Sequence, residues 1–320
     1  MAQFILKRGI GLIFVLISVS FITFILGYLS PIDPVRQLLG AQHYTLTGYI
    51  RLKHSLGLDL PWYQQYYNYL VNLLHFNLGY SFHSQDRNVW DILKDGVPIS
   101  VEIAFWGLVA ALLVGIPSGI FSAIRANTWV DTANMSVALL MYALPVFVIA
   151  VFAQVIIVYI NVHFNQSWPV ADWGTPWHYT LSDLQLKIVP ILVYGATTYA
   201  YFARLARTSM LEVLRQDYVR TARAKGMAER IVIYQHALRN ALLPLITALG
   251  YFIGFLVTGA LFIERIFNIP GISSIIITAV TNNDFPVVQA TTLLTAIGVV
   301  AGNLIADLLY TIVDPRIKLS

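Results

Sequence analysis

The stretch Glu212–Pro244 reads EVLRQDYVRTARAKGMAERIVIYQHALRNALLP and lies between two strongly apolar runs. It carries six of the chain's 20 Lys and Arg residues. Apolar residues recur in it at spacings of three and four, which predicts a short amphipathic helix. The apolar face of that helix consists of Leu211, Leu214, Tyr218 and Ala222. We expect Gly226 to end the helix in a left-handed C-cap, and a second helical segment to follow from Ala228.

The composition excludes a soluble globular domain. Apolar residues make up 58% of the chain and charged residues 11%, whereas a globular domain carries about 25% charged residues. The apolar runs lack the period-two alternation of barrel strands, so they predict an all-α polytopic membrane protein. Six spans are expected, at about 9–32, 98–124, 132–160, 187–206, 241–264 and 286–313. The chain has no cysteine, which excludes disulfides and thiolate metal sites.

Charges in the short connecting segments predict the orientation of the spans. By the positive-inside rule, the basic segment around 204–239 and both termini lie in the cytoplasm. Because Lys7-Arg8 precedes an apolar run without a cleavage site, the first helix is expected to stay uncleaved. The net charge of +4 lies in these loops and gives no argument for nucleic acid. The predicted division is a transmembrane helix (1–30), an extracytoplasmic loop region (31–97), a five-helix core (98–313) that includes a cytoplasmic loop (207–240), and a cytoplasmic tail (314–320).

Three segments between the spans are distinctive. Pro61 is placed to begin an aromatic-rich helix, PWYQQYYNYLVNLL, at the membrane interface. This helix could serve as an interfacial anchor or as a docking surface for an external partner. Residues 161–186 and 265–285 are predicted to form loops on the outer side of the membrane.

The basic stretch resembles a known motif. DYVRTARAKG (217–226), with Leu243-Pro244 further on, is similar to the EAA loop of permease subunits of binding-protein-dependent ABC importers. Arg220 and Thr221 replace the usual Glu-Ala pair, and Leu-Pro comes about five residues late. The sequence DYVRTARAKG is instead similar to that of the peptide/nickel branch, the dipeptide/oligopeptide permease B-type family. Other stretches similar to that branch are SPIDPVRQLLG (30–40), LGLDLPWYQQYYNYL (56–70), FNLGYSF (76–82), IFNIPGI (266–272), NDFPVVQA (283–290) and DPRI (314–317).

This resemblance implies an ATP-driven importer in the bacterial inner membrane, with di- or oligopeptides as the expected solutes. It implies a homologous second permease subunit, two ATP-binding subunits that carry ATP and Mg, and an extracytoplasmic solute-binding protein. The chain itself contains no Walker A motif, so neither ATP hydrolysis nor a cofactor is expected on it. The 212–226 helix would contact an ATPase subunit. Its expected coupling residues are Glu212, Leu214, Arg215, Asp217, Tyr218, Arg220, Ala222 and Gly226.

Other interpretations stay open at this point. The basic loop could be merely a solvated cytoplasmic segment, and the chain could be a secondary transporter, although it shows no self-similar halves. An intramembrane enzyme would need a catalytic pair that the spans lack. Within the resembled family, nickel chelates and oligosaccharides are alternative solutes. Because the spans offer hydroxyls rather than Cys or His, we favour peptides over free nickel and expect no metal site. The candidate path residues are Tyr142, Tyr194, Thr198, Thr247, Thr258, Thr295, Asn303 and Asp307.

Polar and small residues inside the spans carry further expectations. Glu102 and Glu264 lie near span ends, where we expect water to solvate them. Asn303 and Asp307 are one turn apart and should face protein, in a structural role or in the path. The pairs Gly250/Gly254 and Gly298/Gly302 form small faces suited to close helix packing, although the first pair could instead line a conduit.

Overall fold

The computed structural model describes residues 2–39, 45–84, 87–258 and 260–313, with backbone only for 2–8 and 306–313. These ranges are helical apart from short connections and a single β-bridge between Tyr80 and Asn88. The first helices are α1 (Ala2–Tyr28), α2 (Pro34–Leu39), α3 (Leu46–Ser55), α4 (Trp62–Leu74), α5 (Val89–Ile124), α6 (Trp129–Ala143), α7 (Val146–Phe164) and α8 (Leu181–Leu214). Then follow α9 (Asp217–Ala224), α10 (Glu229–Ile231), a π-helical turn (Val232–Ala237), α11 (Leu238–Ala241), α12 (Leu243–Gly254), a 3₁₀ turn (Leu256–Thr258), α13 (Leu261–Ile266), α14 (Ile272–Thr281) and α15 (Phe285–Val313). The DPRI motif and the 314–320 tail lie outside the described residues.

Six helical stretches in the described part of the chain are long and apolar enough to cross a membrane, which confirms the predicted number. They are Gly9–Tyr28, Val89–Ile124, Val146–Phe164, Leu181–Leu214, Leu243–Ile266 and Phe285–Ile305. With this composition and length, the chain is a multi-pass membrane protein.

The structure differs from three of the predicted spans in detail. The helix α5 begins nine residues before position 98, because Asn88 caps it by accepting a 2.8 Å hydrogen bond from the amide of Trp90. The predicted span 132–160 is broken between α6 and α7, since Leu144 is extended before Pro145. The predicted span 241–264 is interrupted by the 3₁₀ turn at Leu256–Thr258.

The helices α5 and α8 form the central pair and run side by side in the same direction. Gly107 contacts Tyr194 at one level of this pair, and Gly119 contacts Ala203 at another. The helix α6 joins them through Asn134, whose side-chain amide donates to Ser122 Oγ at 2.7 Å. Its carbonyl oxygen accepts from the hydroxyl of Tyr199 on α8 at 3.0 Å. One polar side chain thus fixes three helices.

The glycine pairs on α12 and α15 pack against each other. A Cβ added to Gly254 would lie 2.9 Å from the Cα of Val299, and one added to Gly302 would collide with the backbone of Gly254. Gly250 and Gly254 are buried. The packing interpretation of these glycines is therefore confirmed, and the conduit interpretation is wrong for them.

The predicted aromatic helix after Pro61 is present as α4, and it lies against α1. The ring centroids of Phe21 and Tyr66 are 5.2 Å apart in an edge-on arrangement. The hydroxyls of Ser20 and Tyr66 are 3.0 Å apart. These contacts hold α4 along the second half of α1, and α1 in turn packs against α15.

The prediction that Glu102 is solvated is wrong. Its side chain is fully buried and forms a salt bridge of 2.9 Å with Lys187, which is also fully buried. The other carboxylate oxygen accepts from Trp173 Nε1 and from the amide of Trp177, each at 2.9 Å. Lys187 Nζ also donates to the carbonyls of Thr175 and His178. This pair therefore fastens the 165–180 loop onto α5 and α8.

Glu264 is also buried rather than solvated. It accepts a hydrogen bond of 2.7 Å from Ser100 Oγ on α5 and bonds from the amides of Ser273 and Ser274, at 2.9 and 3.1 Å. Those amides belong to the first turn of α14, where a carboxylate is stabilised by the unpaired donors of the helix end. The predicted loop 265–285 thus contains the ten-residue helix α14, anchored on α5 by Glu264.

Candidate functional site: helix α9 and a cleft beside α8

The amphipathic helix predicted at 212–226 is two elements. The long helix α8 ends at Leu214, Gln216 adopts an extended backbone, and α9 begins at Asp217. At the other end, Gly226 has a φ of 76°, which confirms the predicted left-handed C-cap. Its amide donates to the carbonyl of Arg223 at 2.9 Å, while the amide of Met227 donates to that of Ala222. These two bonds form a Schellman motif, for which glycine is preferred.

The apolar face of α9 is buried within this chain. Val219 is completely buried and Ala222 is 5% exposed. Both belong to a cluster that joins α9 to the ends of α5 and α8 and to the π-helical turn. The other buried members of this cluster are Ala123, Met210, Val232, Ile233, Ala237 and Ala241. Ser209 Oγ adds a buried hydrogen bond of 2.8 Å to the carbonyl of Ala241. The cluster fixes the position of α9 relative to α8.

The opposite face of α9 is exposed and charged. Asp217 and Arg220 form an open i,i+3 pair at 3.6 Å, with side chains 97% and 70% exposed. Arg223 contacts Glu229 at 2.7 Å, and its guanidinium holds the pKa of Glu229 below its usual value by hydrogen bonding. Because these pairs are solvated, they contribute little to stability, and the face is available to another molecule.

The predicted coupling residues occupy both sides of this junction. Ala222 is buried and Leu214 partly buried, so they support α9 from inside the chain. The exposed members are Glu212, Arg215, Asp217, Tyr218, Arg220 and Gly226. The hydroxyl of Tyr218 accepts a 2.7 Å hydrogen bond from Asn240 Nδ2, which links α9 to α11.

Arg207 and Asp131 clamp α8 to the start of α6. The guanidinium Nε and one of its terminal nitrogens each donate to a separate carboxylate oxygen of Asp131, both at 2.7 Å. The amide of Asn127 donates to the same carboxylate at 2.9 Å. Such a bidentate pair has a defined geometry, so it fixes the start of α6 against α8.

A cleft of about 290 Å³ opens between α6, α8 and α12, near the break at Leu144-Pro145 that separates α6 from α7. Two predicted path residues line it, Tyr142 and Thr198. Thr197, Tyr201 and Phe252 complete its polar and aromatic wall. Tyr142 and Tyr201 are 56% and 40% exposed, so hydroxyl-bearing side chains face the opening.

The other predicted path residues are elsewhere. Tyr194 packs against Gly107 between α5 and α8. Thr247 is exposed on α12, Thr258 bonds to the carbonyl of Phe255, Thr295 is partly buried on α15, and Asn303 is exposed. The side chain of Asp307 lies outside the described residues.

Comparison with known proteins identifies the family. The model of the binding-protein-dependent transport system inner membrane component matches residues 115–319, and the model of its N-terminal region matches residues 1–104. The chain belongs to this family. It is a multi-pass inner-membrane component of an ABC transport system and works with other subunits.

Relatives of this transport component match along its whole length. It is 35% identical to the dipeptide transport system permease protein DppB of Escherichia coli K12, covering 99% of both chains. It is 34% identical to the protein of that name from Bacillus subtilis 168, over 100% of this chain and 99% of the relative. A di/tripeptide transport system permease protein of Pseudomonas aeruginosa is 35% identical over 99% of both chains.

A solved structure supports the fold of the transport component. The match is to a chain of the MetNI methionine ABC transporter in an inward-facing conformation, with a TM-score of 0.53. It covers 69% of this chain and 96% of the other, at 17% sequence identity. This likeness concerns the fold alone.

Sequence reasoning did not single out Tyr201 and Phe252, and it counted Arg204 only as a cytoplasmic charge. The spacing of Thr197, Tyr201 and Arg204, at four and three residues, places them on one face of α8. This helical spacing could have indicated from the sequence that the three side chains lie together.

Proposed function

We propose that this chain is the permease subunit of an ATP-driven importer of di- and oligopeptides and forms half of the translocation path. The observation that carries the proposal is 35% identity along 99% of the chain to a dipeptide permease. The hydroxyl-lined cleft beside α8 is compatible with polar, backbone-like solutes, since hydroxyls can both donate and accept hydrogen bonds.

In this proposal, the exposed face of α9 contacts an ATPase subunit. The supporting geometry is a charged, open surface on a helix whose other face is buried in the same chain. Because the buried cluster joins α9 to the end of α8, a displacement of α9 by the ATPase moves α8 with it. Both termini and α9 lie in the cytoplasm, as the positive charges favour.

The complete importer contains a homologous second permease subunit, two ATP-binding subunits and an extracytoplasmic solute-binding protein. ATP and Mg bind to the ATPase subunits, and this chain carries neither a cofactor nor a metal. Its contribution is mechanical, because it converts closure of the ATPases into a change of access to the path.

The test is reconstitution of the complete complex in lipid vesicles with its binding protein. We expect a mixture of short peptides to stimulate ATP hydrolysis and to accumulate inside the vesicles. Nickel, with and without a chelator, and oligosaccharides are the comparison solutes. Stimulation by a chelated metal or an oligosaccharide, with no response to any peptide pool, would refute the peptide assignment.

A further inference from the structure

Arg204 on α8 is a cation without a counter-ion among the described residues. Its guanidinium lies over the ring of Tyr142, with Cζ 4.6 Å from the ring centroid. The next arginine along the helix, Arg207, is by contrast neutralised by Asp131. Arg204 is exposed and lies ten residues before the end of α8, and an ionisable side chain beside a cavity in a membrane-spanning helix commonly marks a route for ligands or ions.

The direction of the Arg204 side chain is unusual for a surface cation. Side chains in a helix lean towards its N-terminus, so Arg204 reaches back from the α9 end of α8. Tyr142 lies 11 residues beyond Asp131 on α6, which is about 16 Å along the helix axis. A snorkelling arginine would extend the other way, towards water and lipid headgroups. The guanidinium is instead directed towards the middle of the span.

The packing of α6 on α8 holds this arrangement. Ala138 on α6 and Ala200 and Ala203 on α8 are completely buried against one another. Small side chains at this contact bring the two helices close together. Tyr142 lies one turn after Ala138, and Arg204 lies one turn after Ala200, so both project beside the contact. Tyr142 is also part of the wall of the cleft.

The chemistry of this position suits a carboxylate. A guanidinium presents a planar set of donors that can bind both oxygens of a carboxylate. The neighbouring hydroxyl of Tyr201 supplies a further donor at the cleft wall, whereas the hydroxyl of Thr197 already donates to the carbonyl of Tyr194. Phe252 and Met141 provide apolar surface beside them. The site thus combines one cation, uncharged hydroxyls and apolar surface.

We propose that Arg204 and the adjoining cleft form a subsite for the carboxylate group of a transported peptide. This inference rests on the proposed peptide function. The subsite gives the path a transient anchor for the one group that every unmodified peptide carries at its C-terminus. An anionic lipid headgroup, or an acidic side chain of the second permease subunit, is the competing occupant.

The test uses the whole importer in nanodiscs with Thr197→Cys as a reporter, since this chain has no cysteine of its own. The reporter is modified with a thiol reagent, and its rate of modification is followed on this chain by mass spectrometry. We expect a short peptide with a free carboxylate to slow the modification roughly fivefold, as the pairing of two unit charges about 4 Å apart in water would, because Arg204 is exposed. The same peptide with an amidated C-terminus should have almost no effect.

Variants assign the effect to Arg204. Arg204→Gln should abolish protection by the free-carboxylate peptide, and Arg204→Lys should retain part of it. The matched control is Arg125→Gln, because Arg125 also lies over an aromatic ring, that of Phe121 at 4.4 Å, but outside the cleft. It should leave protection unchanged.

Two outcomes would overturn the subsite. One is equal protection by the free and the amidated peptide, and the other is protection by neither, as expected if lipid or the second subunit occupies Arg204. The comparison of the two peptides needs no change at Arg204, so it stands even if Arg204→Gln fails to assemble. An importer that transports peptides but shows either outcome refutes the subsite alone. An importer that no peptide drives refutes the proposed function.

Discussion

Replacing Lys187 by methionine should destabilise the protein on the side of the 165–180 loop. The substitution keeps an unbranched side chain of similar length but removes the ammonium group. Glu102 would then be left buried without its cation. The carbonyls of Thr175 and His178, which accept from Lys187 at 2.7 and 2.8 Å, would lose their donor.

The expected cost follows from these contacts. Removing one partner of a buried ion pair costs about 3–5 kcal/mol. The two carbonyls belong to a partly exposed loop that water can reach, which favours the lower end, about 3 kcal/mol. At roughly 2 °C for each kcal/mol in a chain of this size, the melting temperature should fall by about 6 °C.

The assay is thermal unfolding of the purified complex in detergent, combined with limited proteolysis of the 165–180 loop. The double variant Lys187→Met/Glu102→Gln removes both charges while an amide oxygen still accepts from Trp173. It should recover about 1–2 kcal/mol relative to Lys187→Met alone. A single variant within about 2 °C of wild type, with an unchanged rate of loop cleavage, would refute the reasoning.

Three further predictions concern α9 and the topology. Ala222→Asp buries a charge in the cluster beneath α9 and should prevent stable folding of the loop. Thr221→Asp, at the exposed neighbouring position, should preserve folding and reduce coupled transport. Purified yield and transport rate separate the two effects. Gly226→Val should cost about 1–2 kcal/mol because of the positive φ, and Gly226→Asn should cost less, as measured by thermal unfolding. Cysteines at Lys225 and Ser167, both exposed, should be labelled from the cytoplasm and from outside respectively by an impermeant thiol reagent; the buried Trp173 is unsuitable for this test.

Much of the architecture is predictable because it depends on local patterns. Six apolar stretches are visible in the sequence, since each must satisfy its own backbone in lipid. The left-handed end of α9 at Gly226 and the start of α4 after Pro61 also follow from adjacent residues. The glycine faces of α12 and α15 required only a four-residue spacing to be recognised.

The failures concern partners that are distant in sequence. Lys187 lies 85 residues from Glu102, and Ser100 lies 164 residues from Glu264, so no local pattern shows that either glutamate is buried. Proline had opposite effects at two positions, since it lies inside α5 at Pro98 but separates α6 from α7 at Pro145. At the candidate site, the predicted single helix over 212–226 is divided by the extended backbone at Gln216, and the buried face of α9 carries Val219 and Ala222, whereas the predicted Tyr218 is exposed.

Because α8 is uninterrupted, the number of residues between Lys187 and Arg207 matters for its contacts as much as their identities do. Lys187 must point to Glu102 on α5, while Arg207 must point to Asp131 on α6. One inserted or deleted residue between them would rotate one end against the other by about 100°. Both ion pairs could not then form together, or Arg204 would no longer lie over the ring of Tyr142. Side chains on the free faces of α8 can therefore diverge among relatives, whereas an insertion or deletion here would break the ion pair at one end or the other.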